Sequence, residues 1–439
     1  MHSRNFLALL GKEWRELQAS RSFWLLLLII GPLVGHSFIT AIGLYSEMSG
    51  GGGGPAALPQ GLTPLDGILV PTFGAYDLAA TFLFPFVAIR MISAEKESGG
   101  LKLLLQLPGT LGTKITAKGL ILIGGWIVSM LPGLLAIVLW KSYGGHLYAP
   151  ETLNLLLGHL LRVSLSAGIA VAAAAIAESA ASAAIVTLAI TVGTWALDFV
   201  AIGRGGVLQQ LANYTPTAAL RFFEHGLLRL NSVAAMLALG IAGFAIAAIW
   251  LQTGRSLRRK CLWTVGTGLI LAIIMTGAVG IRKSWDVSEN RRTSFSAADE
   301  AALSKISQPL LITVYLAPED PRLTDFEQNV LSKLRRTLTH VDVDYAANSR
   351  SGLFENAEDH YGEIWYQIGE QKIMERSTIE QVVLEQIYKL ACVEQPQSTE
   401  ENEFPGYPLA TAPKAAPWIF YGLLPLMTLL AWWFVRREA

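Results

Sequence analysis

Long apolar runs separated by short polar breaks fill the first 281 positions, and one more closes the chain. A helix needs about 20 apolar residues to cross a bilayer core. Eight stretches reach that length: 23–44, 69–92, 119–140, 155–177, 183–203, 232–252, 262–281 and 416–435. Trp140, Trp250, Trp418, Trp432 and Trp433 stand at or near their ends, where an interfacial aromatic belt belongs. The first stretch carries no small-residue cleavage motif and more follow it, so it is not a cleavable signal. The pattern predicts a polytopic α-helical membrane protein with about eight transmembrane helices.

Three segments break this pattern in informative ways. In 3–20, Phe6, Leu9, Leu10, Trp14 and Leu17 recur at helical spacing with Lys12, Arg15 and Glu16 between them. That reads as an amphipathic helix lying on the inner leaflet. In 90–118, Glu95, Glu97 and Gly99–Gly100 lead into the apolar run Leu101–Leu107, which Pro108 breaks before Lys114 and Lys118. This reads as a short amphipathic helix parallel to the membrane, able to dock in a groove of a cytosolic partner.

The third segment, 285–393, changes period altogether. Leu310–Leu316 and Val341–Tyr345 read as strands flanking a helix from Asp325 to about Leu338, capped by Thr324. Glu363–Ile368 and Lys372–Glu375 read as a hairpin turning at Gly369–Glu370, before a last helix Ile379–Leu390 capped by Thr378. The order βαβ then ββα resembles a thioredoxin-like fold. No CxxC is present, so redox chemistry is not expected. Asp342 and Asp344 alternate on one strand and read as a solvated face. Residues 394–414 form a Pro-rich linker.

Charge sharpens the division. Lys+Arg is 34 and Asp+Glu is 34, a formal net charge of zero. Yet 282–414 holds 22 acids and 14 bases, a net −8, which leaves +8 on the rest. With the N-terminus inside, the inner segments hold fifteen Lys and Arg and the short outer loops hold four. The positive-inside rule then puts both termini in the cytoplasm and 285–414 outside the membrane. The low charged fraction, 15%, excludes an ordinary soluble enzyme and a basic nucleic-acid binder.

Charges within membrane spans are costly and usually face the bundle interior. Asp77, Arg162 and Asp198 are candidates for an intramembrane polar pathway, with Arg162 able to pair with either aspartate; His36 and Glu178 are further polar positions. Small residues at 166–184 favour close helix packing. No Walker A sequence occurs, and neither a catalytic nor a metal-ligating constellation is present.

Segment 90–118 resembles the first cytoplasmic loop of ABC-2 type permeases, the membrane subunits of one class of ABC exporters. Glu95, Glu97, Gly99, Leu104, Leu105, Pro108 and Lys118 fit its acidic–x–acidic, small, apolar helix, Pro, basic pattern. Lys12–Trp24 is similar to that family's opening helix. Pro216, Phe222, Phe223 and Gly226 resemble its outer stretch before the sixth span. Beyond the seventh span, Asp286, Ser288, Arg292, Ser294, Ser296 and Thr313–Tyr315 resemble the auxiliary component of the gliding-motility-associated ABC system, in shortened form.

The resemblance implies an ABC-2 exporter fold with an inserted α/β domain. It divides the chain into a permease core at 1–260, a seventh transmembrane helix at 261–284, the extracytoplasmic domain at 285–393, the linker at 394–414 and an eighth helix at 415–439. It also implies a permease subunit with no cofactor of its own. ATP and Mg would sit on a separate cytosolic ABC ATPase, bound through the seven loop residues above. A homodimer in the bacterial inner membrane, and a periplasmic partner, would complete the assembly. The competing reading is a non-transporting membrane anchor for an extracytoplasmic machine.

Overall fold

The computed structural model describes residues 2–51, 63–106, 109–201, 212, 215–281, 283–317, 320–346, 360–396 and 407–438. The chain divides into two compact units, Met1–Gly193 with Leu220–Trp285 and Pro405–Ala439, and Thr194–Ala219 with Asp286–Phe404.

The first unit is helical. Its elements are α1 (His2–Ala19), α2 (Arg21–Ser46), α3 (Val70–Glu97), α4 (Gly100–Gln106), α5 (Leu111–Ser129), α6 (Leu131–Ser142), α7 (Ala149–Ile176), α8 (Ala180–Ala201, which runs on into the second unit), α9 (Pro216–Glu224, shared likewise), α10 (Leu230–Trp250) and α11 (Leu257–Val279). A last helix runs to Glu438. Eight helices among the described residues are long and apolar enough to span a membrane, matching the number expected. Their bounds differ at the ends. The third candidate begins at Leu111 rather than 119, because Thr110 caps it by accepting from Thr113 N at 3.2 Å. The second runs through Glu97, so much of the expected 90–118 loop is helix, and only Ser98–Thr110 with α4 connects α3 to α5.

The core lies where α2, α3, α5, α7 and α10 meet. Glycine sets the closest approach. A Cβ on Gly168 of α7 would lie 2.5 Å from Gly240 O of α10, and one on Gly243 2.4 Å from Gly168 C. This is the small-residue packing that the 166–184 stretch foretold. In α11, Leu262, Leu269 and Ile273 point outward, as a lipid-facing helix requires.

The second unit carries a four-stranded sheet of β1 (Leu310–Val314), β2 (Val341–Tyr345), β3 (Ile364–Ile368) and β4 (Gln371–Glu375), in the order β2-β1-β3-β4. β1 pairs parallel to β2, with Leu310 opposite Val341, and antiparallel to β3, with Ile312 opposite Tyr366. β3 and β4 form the expected hairpin, turned by Gly369 at φ +60. Alternation explains the sheet: Leu310, Ile312, Val314, Ile364 and Tyr366 are fully buried while Leu311 is exposed. Asp342 and Asp344 face outward.

Helices α12 (Ala297–Leu303), α13 (Pro321–Phe326), α14 (Ser332–Thr337) and α15 (Glu380–Ala391) pack on this core through Leu303, Phe326, Leu334, Val383 and Ile387. The expected cap at Thr324 is displaced. Asp320 caps the helix by accepting from Arg322 N, and Pro321 fits the first turn, where its missing N–H costs nothing.

Candidate functional site

The amphipathic α1 does more than lie on a surface. Its buried face packs on α5, with Trp14 against Gly124 and Leu17 against Gly125. One turn before Leu17, on the same face, stands Glu13, with no exposed surface. A carboxylate buried this way needs a partner, and Lys118 of α5 supplies it, donating to Glu13 Oε2 at 2.7 Å. The same ammonium donates to Met91 O at 3.3 Å and lies 3.0 Å from Glu95 Oε1 of α3. Lys12 donates to Glu95 Oε1 from the other side, with Glu16 at 2.8 Å and Glu13 at 3.2 Å. α1, α3 and α5 are thus joined through two lysines and three carboxylates.

Burial opposes charge on Lys12, but hydrogen bonds to Glu16 and Glu95 and the charge of Glu13 hold its ammonium above the ordinary value. Burial pushes the Glu13 carboxyl up, and Lys118 works against that rise. Carboxylate oxygens of Glu13, Glu16 and Glu95 lie within 4.8 Å of one another, a spacing that suits a cation. Lys12 and Lys118 already stand among them, so the carboxylates are engaged by lysine.

The connection from α3 to α5 is fastened at three further points. Gly99, at φ +74, turns the chain out of α3. Lys114 donates to Leu104 O at 2.6 Å, holding α4 against α5. Lys96 donates to the carbonyls of Ala174, Ala175 and Ala177 at 3.0, 3.3 and 2.6 Å, closing the C-terminal end of α7, where helix carbonyls lack partners.

Matched to a model of known families, residues 7–251 fit the one described as ABC-2 family transporter protein. The chain belongs to that family. It is a multi-pass membrane protein and a permease subunit of an ABC transporter, a subunit type that has no ATPase of its own and works with a cytosolic ATPase. No curated protein and no solved structure matches it.

Within this ABC-2 permease the expected loop residues have different fates. Glu95 and Lys118 meet in the buried network; they sit on α3 and α5 rather than in a loop. Glu97 is exposed and lies 3.6 Å from an equally exposed Arg90, a pair worth little. Leu104 points inward, whereas Leu103 is 68% exposed. Pro108 and the Leu105 side chain lie outside the described residues. Sequence reasoning missed Glu13, Lys96 and Leu103. Glu13 carried a readable signal: a charge on the apolar stripe of α1, four residues before Leu17. The partners of Lys96 carried none, because Ala174–Ala177 offer only backbone.

A second polar cluster lies on the same α3. Asp77 Oδ1 is 3.5 Å from Arg162 Nε of α7, and Arg162 is buried. Asp77 and Glu95 are eighteen residues apart, about 27 Å along α3, close to the thickness of a bilayer core. His159, one turn before Arg162, is fully buried between Phe73 and Tyr76, with ring centroids at 5.4 and 6.0 Å. Neither of its nitrogens has a hydrogen-bond partner among the described residues. Glu224 of α9 feels both Asp77 and Arg162, and burial pushes its carboxyl up to about 7. The third expected member, Asp198, ends the fifth candidate span and belongs to the second unit.

Proposed function

We propose that this permease passes the work of a separate cytosolic ABC ATPase into its membrane helices through α1 and the α3–α5 connection, as an exporter or as a driver of an envelope partner. The supporting observation is the buried Glu13–Lys118–Glu95–Lys12 network. It makes α1, α3 and α5 one mechanical piece at the end of the bundle that presents Lys102, Leu103 and Glu97 to solvent. A push on α4 or α1 is then delivered to α3, which carries the Asp77–Arg162 pair about 27 Å away.

In this reading the subunit works as a homodimer in the bacterial inner membrane, with both termini in the cytoplasm. Asp77 and Arg162 line its polar pathway. The second unit's sheet order and its βαβ–ββα succession support a thioredoxin-like domain, here without redox cysteines. In the same reading that domain lies outside the membrane and meets a periplasmic partner, in keeping with its resemblance to a shortened auxiliary component.

The test is co-purification with the ATPase followed by ATPase assay in proteoliposomes. Leu103→Asp should abolish association while leaving the permease folded. Retained association and full ATPase stimulation in that variant would end the assignment of α4. The second unit has a hydrophobic core of its own, from Phe295 to Leu390, and this favours a second reading, a non-transporting anchor. Deleting 286–404 separates the two: ATPase stimulation survives in the transporter reading, whereas in the anchor reading envelope function is lost and the permease stimulates no ATPase in either form.

A further inference from the structure

Where α1 hands over to α2, the chain leaves a pocket of about 390 Å³ lined by Ala19, Ser20, Arg21, Ser22 and Arg90. Its lining residues include two arginines and two serines and no acidic residue. Arg21 has no hydrogen-bond or ion-pair partner among the described residues, and Arg90 has only the loose 3.6 Å approach of Glu97. The two hydroxyls meet at 2.9 Å. Ser20 stands before α2 with extended backbone and makes no side-chain cap, so the first N–H groups of α2 also lack that partner. Trp24 donates to Gln18 O at 2.6 Å and fixes the turn that shapes the pocket.

Position selects the ligand. Arg21 opens the first candidate span, and Arg90 lies seven residues before the second one ends. Seven residues are about 10 Å of helix, within reach of an arginine that extends its head toward the interface. The pocket therefore sits at headgroup depth, beside an amphipathic helix whose Leu7 is 66% exposed. We infer that this pocket holds the phosphate of an anionic phospholipid headgroup, clamped between Arg21 and Arg90 with Ser20 and Ser22 as further donors. Two arginines lining one cavity can offer fork-shaped guanidiniums to a phosphate diester, which suits it better than scattered lysines do. Arg255, Arg258 and Arg259 are exposed charge of the ordinary juxtamembrane kind and make a natural control.

The experiment uses the full chain in a neutral detergent. Dioctanoyl phosphatidylglycerol, dioctanoyl phosphatidylcholine, glycerol 3-phosphate and inorganic phosphate are compared by native mass spectrometry and by thermal shift. Only the phosphatidylglycerol should bind saturably. Arg21→Gln with Arg90→Gln should weaken it by at least about tenfold, the loss expected from charged hydrogen bonds. Arg258→Gln with Arg259→Gln should leave it within about twofold, because those charges act only diffusely. Ser22→Asp keeps both arginines, puts a carboxylate in the pocket and should also abolish binding. Unchanged affinity in the double arginine variant or in Ser22→Asp would overturn the site. Equal binding of inorganic phosphate would overturn the lipid as its ligand.

Discussion

Replacing Lys118 by Met removes one ammonium from a site where it is 1% exposed, and leaves Lys12 alone to face Glu13 at 0% and Glu95 at 6% side-chain exposure. Breaking one side of a buried pair costs about 3–5 kcal/mol, because the remaining charge stays desolvated. Lys12 still reaches Glu95 and approaches Glu13 at 3.2 Å, so the loss is partial and the lower figure applies. At about 2–4 °C per kcal/mol for a body of this size, thermal unfolding in detergent should fall by roughly 10 °C. The loss should depend on pH. Burial already raises the Glu13 carboxyl, and without Lys118 nothing of equal strength opposes that rise. Between its ordinary value and its raised one, the folded state holds a proton that the unfolded state releases, so stability falls as pH rises. The variant should therefore be closer to the parent at pH 6 than at pH 8. Adding Glu13→Leu to Lys118→Met removes the desolvated charge and should recover most of the loss. A fall under about 2 °C, or a double variant no better than the single one, would refute a buried, mutually dependent pair.

Leu104→Asp should destabilise the permease by about 3 kcal/mol through an unpaired buried charge, whereas Leu103→Asp should leave its melting temperature unchanged and remove ATPase association. Glu224 holds its proton to about pH 7, so thermal stability should decline from pH 5 to pH 7, and Glu224→Gln should flatten that decline. Gly168→Ala places a methyl 2.5 Å from Gly240 O and should cost about 3 kcal/mol by prising α7 from α10, seen as a lower melting temperature with Gly277→Ala, which meets nothing within 4 Å, as the neutral control.

The eight spans were legible because a bilayer demands a local property, apolar length, that any window of sequence displays. The sheet was legible for the same reason: Leu310–Leu316 is a β-rich apolar run and Val341–Tyr345 alternates, and neither pattern needs tertiary knowledge. The family resemblance, carried by Glu95, Glu97, Gly99 and Lys118, agrees with the match over 7–251. What sequence could not supply was phase and partnership. Leu103 and Leu104 are neighbours of one type, yet one faces out and the other in, set by how α4 packs on its neighbours, with Lys114 donating to Leu104 O and Leu101 against the core. Lys114 and Lys118 looked like loop bases; partners on α1, α3 and α4 let both lie buried inside a helix. His159 is a single polar residue in an apolar run, and its place beside Arg162 and Asp77 depends on how α3 crosses α7.

The choice of charged residues at the α1–α3–α5 junction has a physical consequence. A buried ion pair is a weak source of stability, since apolar residues of the same volume often do as well or better. Its distinguishing property is that it tolerates few arrangements. An apolar face on α1 would slide along α5 by a fraction of a turn at small cost, because one leucine contact substitutes for another. Glu13 has less freedom: moving it away from Lys118 breaks its 2.7 Å hydrogen bond in a dry environment and leaves it only the 3.2 Å approach of Lys12. Lys12 and Lys118 both bind the same oxygen of Glu95, so a shift of α1 disturbs α3 and α5 together. In the proposed coupling, the network carries small displacements of α1 to α3 and α5 together. An apolar junction of equal stability would absorb them by local repacking.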